Sequence, residues 1–148
     1  MPWWIIHLRW ATKMDLSSAI VYEVNVFINS PPGGGRHYEG RRDIGTFISE
    51  GYCFYEKYRA DGLKAYCLHH MLDEIKENLF REVHRGRDIE IHEAIEMASA
   101  KILGSMSRSY KYRGARFGLI FNDVVDFLRD NAMDLYYNLI SEIRHGMS

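Results

Sequence analysis

Hydrophobic and polar positions alternate over residues 3–11: Trp4, Ile6, Leu8 and Trp10 fall on one side of an extended chain, Trp3, Ile5, His7 and Arg9 on the other. Residues 19–29 repeat the pattern, with Ile20, Tyr22, Val24, Val26 and Ile28 set against Val21, Glu23, Asn25 and Phe27. A period of two carried by β-branched and aromatic residues predicts strands. The short polar stretch 12–18 between them reads as the loop of an antiparallel hairpin.

Pro31, Pro32, Gly33, Gly34 and Gly35 then interrupt the chain, since five consecutive breakers continue neither helix nor strand. Residues 30–42 are therefore expected to be a flexible loop. Residues 43–60 carry two signals. Ile44, Phe47, Ile48, Gly51, Tyr55 and Tyr58 fit a helical stripe capped by Asp43. Gly45, Gly51 and the run Tyr52-Cys53-Phe54-Tyr55 fit a hairpin instead; helix is preferred.

Beyond Gly62 the period is helical. Leu68, Met71, Leu72, Ile75, Leu79 and Val83 form one stripe, which Gly86 ends. Asp88 is expected to cap a second helix, with Ile91, Ala94, Ile95, Ala98 and Ile102 inward and Gly104 past its end. Residues 105–118 read as a loop. A third helix runs to about Arg144 with Phe121, Val124, Val125, Leu128, Ala132, Leu135, Leu139 and Ile143 inward. The expected fold is α+β: an N-terminal antiparallel β-hairpin over 3–29 packed on a C-terminal bundle of three to four helices within 43–146, in a single domain spanning 1–148.

Composition agrees with one soluble globular domain: 148 residues, 47% hydrophobic, 26% charged, formal net charge −1. It excludes a disordered chain, a membrane span of roughly 18 apolar residues and a disulfide scaffold. His7 and Arg9 break the apolar start too early for a secretory signal. Glutamine is absent and arginine outnumbers lysine, 13 to 6. That is a thermophile tendency, pointing to an archaeal or viral origin and to the cytoplasm or a virion.

Candidate chemistry lies in the cations. Arg108, Lys111, Arg113 and Arg116 share residues 105–118 with Tyr110, Tyr112 and Phe117 and with no acid. Cations neutralise phosphate and aromatic faces stack bases, so these residues are candidates for nucleic-acid contact. Arg36, Arg41 and Arg42, beside His37 and Tyr38, form a second basic group, and Arg81, Arg85 and Arg87 a third. Asp123, Asp126, Asp130 and Asp134 form an acidic helical stripe that attracts cations.

His69 with Asp73, His70 with Glu74, and His92 with Glu96 stand four apart, so each pair shares a helix face. Neither His-Glu-x-x-His nor Glu-x-x-His occurs on these helices, and spacing alone assigns no metal ligand, catalytic residue or cofactor. Gly33, Gly34 and Gly35 lack the spacing and lysine of a phosphate loop. Cys53 and Cys67 lack a Cys-x-x-Cys and read as buried, inert thiols.

With 44–58 as a hairpin and 89–91 and 116–121 as strands, the element order is similar to that of ribonuclease H-like nucleases. That resemblance implies metal-dependent phosphoryl chemistry with Asp73 or Glu74, Glu93 and Asp123 as ligands, but Asn29 stands where it requires an aspartate. The preferred expectation is a non-enzymatic assembly or nucleic-acid-associated protein that self-associates through the Trp-rich hairpin. A metal-dependent nuclease and a protein-interaction module are the alternatives.

Overall fold

Every apolar stripe of this chain is wound into a helix. The computed structural model describes residues 3–29, 44–87, 89–109 and 113–147, with the side chains of 5–28, 47–87, 89–103 and 116–145. Among the described residues six helices follow in order: α1 (Trp3–Lys13), α2 (Ser18–Asn29), α3 (Ile44–His84), α4 (Ile91–Ser109), α5 (Arg113–Asp130) and α6 (Ala132–Met147). No strand occurs among the described residues. The fold is therefore all-α, and the α+β expectation is overturned.

The correction begins at residues 3–29, which form α1 and α2 instead of a hairpin. Apolar residues occupy both sides of the alternation, so the same letters also satisfy a period of 3.6. The burial pattern decides between the two periods. Ile6, His7, Trp10 and Ala11 are buried on α1, and Val21, Val24 and Ile28 on α2. Tyr22 and Val26, which a strand would place beside Val24 and Ile28, are exposed. Packing has overridden the β preference of the valines and isoleucines. Trp10 lies in the core of its own chain, so no Trp-rich hairpin face is present to join copies.

A Schellman turn separates the two helices. Leu16 N–H reaches the Ala11 carbonyl at 3.0 Å and Asp15 N–H the Thr12 carbonyl at 2.9 Å. Asp15 takes the left-handed position at φ 62, which aspartate tolerates better than most residues. Buried Leu16 and Ala11 complete the motif. Gly86 at φ 71 builds the same turn after α3, with Gly86 N–H on Val83 and Arg87 N–H on Glu82.

Residues 43–60 are helical from Ile44, as preferred, but α3 doubles back at Arg59 (φ 58, ψ −140). Its two arms lie side by side: Phe47 meets Tyr66 and His70, with ring centroids 5.1 and 4.8 Å apart, and Phe54 meets Tyr66 at 5.9 Å. Glycine permits that approach, because a Cβ at Gly51 would stand 3.0 Å from Leu63 Cδ1 and 2.6 Å from Phe117. Glu23 of α2 braces the turn by accepting hydrogen bonds from Lys57 and Tyr58. Those two contacts hold the Glu23 carboxyl below the usual glutamate range, the lysine bond contributing most.

The expected loop over 105–118 is also corrected: α4 continues through Gly104 to Ser109, and α5 starts at Arg113. The expected third helix is split at Asn131. Its side chain donates to the Phe127 carbonyl at 2.8 Å, and its own carbonyl accepts from Leu135 N–H at 3.0 Å, ending α5 and starting α6. The core joins Leu68, Leu72, Ile75, Ile95, Phe117, Phe121, Leu128, Leu135 and Leu139 across α3 to α6. Residues 30–43, with their Pro/Gly run and the proposed Asp43 cap, and Asp88 lie outside the described residues. Among those described, no helix is long and apolar enough to cross a membrane.

Candidate functional site

Three helices bring imidazoles and a carboxylate together inside the bundle. Winding residues 3–13 into α1 turns His7 inward beside Ile6 and Trp10. On α3, His69 and Asp73 are one turn apart and share a face. Asn25 comes from α2. His7 Nε2 lies 3.1 Å from Asp73 Oδ1 and His69 Nε2 lies 3.3 Å from Asp73 Oδ2. The two rings are stacked, with centroids 4.0 Å apart and planes inclined by 10°. Both imidazoles are almost wholly buried (5% and 2% exposed), whereas the Asp73 side chain is 23% exposed and gives the cluster its contact with solvent.

Asn25 determines how the protons are arranged. Its Oδ1 is 2.7 Å from His69 Nδ1, and an amide oxygen only accepts, so Nδ1 carries hydrogen and donates. In a neutral ring Nε2 then bears a lone pair, and it faces a carboxylate oxygen that is also an acceptor. Positive charge between them resolves the conflict: either a proton, giving an imidazolium, or a metal ion. A second-sphere acceptor on the far ring nitrogen is how proteins orient metal-binding histidines.

The distances suit an ion. Donor atoms of His7, His69 and Asp73 all lie within 4.8 Å of one another. Tetrahedral zinc, with bonds of about 2.0–2.2 Å, separates its ligand atoms by roughly 3.3–3.5 Å; the 3.1 and 3.3 Å contacts here run to the two different Asp73 oxygens, so a single ion would draw both rings to one of them. The two rings are stacked nearly parallel, so an ion shared by both would tilt the planes apart. His70 closes one side, its ring 5.8 Å from that of His69. Asn25 also lines a largely apolar groove of about 390 Å³ between α1 and α2, with Leu8, Ser18, Ala19, Val21 and Tyr22.

The cationic candidates fall elsewhere. Arg36, Arg41, Arg42, Tyr110, Lys111 and Tyr112 lie outside the described residues; Arg108 and Arg113 are placed on α4 and α5 by their backbones alone. Arg116 is exposed, its Nη1 donating to Tyr55 Oη at 3.2 Å and its guanidinium 5.5 Å over the Tyr55 ring. The third basic group is engaged internally: Arg81 donates to Asn78 at 2.7 Å, and Arg85 and Arg87 flank Glu82 at 3.6 and 4.0 Å.

The acidic stripe is divided by the break at Asn131, Asp126 pairing with Arg129 and Asp134 with Lys13. Glu74 pairs with Lys101 and Glu96 with Arg129. The nuclease-like arrangement loses its strands, and Glu93 and Asp123 are exposed on α4 and α5, away from Asp73's buried partners. Cys67 is buried, which pushes its thiol well up, whereas Cys53 is exposed, contrary to expectation.

Half of the cluster was visible in the His69–Asp73 spacing. His7 and Asn25 were missed because a period of two turned both away from the core. Their signal was a histidine embedded in the apolar run Ile5, Ile6, Leu8. No protein-family model matches the chain, and neither curated proteins nor solved structures give a match.

Proposed function

We propose that this protein binds a divalent transition-metal ion through His7, His69 and Asp73. The observation that carries the reading is the meeting of His69 Nε2 and Asp73 Oδ2, two acceptors in the neutral ring whose Nδ1–H donates to Asn25 Oδ1. Imidazole and carboxylate donors together suit zinc, iron, nickel or cobalt better than magnesium or calcium. Binding an ion neutralises the half-buried carboxylate and uses both lone pairs.

The test is calorimetric titration of chelator-treated protein with zinc chloride near neutral pH. One ion per chain is expected, with protons released on binding and affinity reduced in Asp73→Asn and His69→Ala. No saturable uptake, or equal affinity in Asp73→Asn, would sink the reading.

A second reading keeps the basic and aromatic residues around the α4–α5 junction as a phosphate-contacting surface. Arg116 favours it, since a cation held over a tyrosine at the surface combines charge with a stacking face. Fluorescence anisotropy with labelled single- and double-stranded oligonucleotides should then show saturable, salt-sensitive binding. Arg113→Glu with Arg116→Glu should weaken it for every sequence; unchanged affinity would remove this reading.

A further inference from the structure

Resting on the metal reading, we infer that the ion at this site controls the docking of α1, so that metal supply regulates exposure of the N-terminal helix. His69 and Asp73 come from one helix at one-turn spacing and form a half-site that exists whether or not α1 is in place. His7 is the α1 ligand. An ion bound by all three donors therefore ties α1 to α3, and by linkage anything that releases α1 weakens the ion's hold by the same factor.

Apart from the ion, α1 is held mainly by Ile6, Trp10 and Ala11, which are almost fully buried in the core. The helix has 11 residues, below the length at which helices persist alone. Trp10 meets Phe127 edge-on, with centroids 5.9 Å apart. Its polar ties to α6 are exposed pairs, Arg9 with Asn138 at 3.0 Å and Lys13 with Asp134 at 2.9 Å, a class that contributes little. Undocked, α1 presents Ile6, Trp10 and Ala11 together on one face.

Hydrogen exchange followed by mass spectrometry on the full chain, chelator-treated against zinc-loaded, tests this. With zinc at about 100 times its dissociation constant, α1 amides should exchange at least tenfold more slowly. Amides of α4 and α5 should be little changed. In His7→Ala and His7→Gln, zinc should bind more weakly through His69 and Asp73 and give α1 no added protection.

One ion bound per chain with α1 exchange unaltered would overturn the inference and leave the metal reading standing. Equal slowing of all six helices would also overturn it, since the ion would then stabilise the whole fold without selecting α1. No ion bound would overturn the metal reading itself.

Discussion

Gly62 passes so close to Phe54 that a Cβ there would stand 2.3 Å from the Phe54 carbonyl oxygen and 2.9 Å from its carbonyl carbon. Both atoms are backbone and cannot swing away, so the contact sets how tightly the arms of α3 close. Gly62→Ala should destabilise the protein by about 1–3 kcal/mol despite alanine's better helix propensity. Gly51→Ala, whose nearest neighbours are side-chain atoms of Phe117, Leu63 and Tyr66, should cost less. Urea denaturation of both variants checks the order; equal losses would contradict it.

Arg59 occupies φ 58, ψ −140, a region that glycine enters freely and a side chain enters at a cost on the order of 1–3 kcal/mol. Arg59→Gly should therefore stabilise the protein by about 1 kcal/mol, after the entropy glycine adds to the unfolded chain. The melting temperature should rise by roughly 2–4 °C. A lower melting temperature would mean that the arginine side chain contributes more than the strain costs.

Glu96 and Arg129 form a two-point clamp between α4 and α5, with contacts of 2.5 and 2.8 Å. The guanidinium holds the Glu96 carboxyl below the usual glutamate range. A depressed carboxyl contributes stability above its unfolded value, about 4.3, and loses it as pH falls through the lower folded value. The pair is about half exposed, so Glu96→Gln should cost under about 1 kcal/mol at pH 7. The difference from the native protein should be smaller at about pH 4, below the unfolded value. Urea titrations at the two pH values read it directly, and a loss undiminished in acid would point to packing.

The two thiols differ in access. Cys53 is exposed on the first arm of α3 and Cys67 is buried on the second, where burial disfavours the thiolate. A thiol reagent should modify one cysteine per native chain quickly and the second only on unfolding. Rapid reaction of both would show that the second arm of α3 opens readily.

The apolar stripes after Gly62 were legible because only one period fits them: Leu68, Leu72, Ile75 and Leu79 at helical spacing have no strand alternative, although the ends of α4 and α5 and the division at Asn131 were not. Gly86 stopped α3 through a turn its letter announces. Residues 3–29 misled for a physical reason, since apolar residues at nearly every position satisfy both periods, and only the seats for Ile6, Trp10, Val24 and Ile28 decide. The doubling at Arg59 was hidden because no breaker marks it; the glycines that admit it, Gly51 and Gly62, flank the turn instead of forming it. The site followed the fold. His69 and Asp73 are paired by one helix and were visible, whereas His7 and Asn25 join them only once α1 and α2 are helices.

The central place of α3 carries a last consequence. Its two arms lie against all five other helices, so a cut between the arms leaves neither part with a finished interior. Unfolding should then be all-or-none, with calorimetric and van't Hoff enthalpies in agreement. Fragments ending near Arg59 should fail to fold separately and regain structure only when mixed.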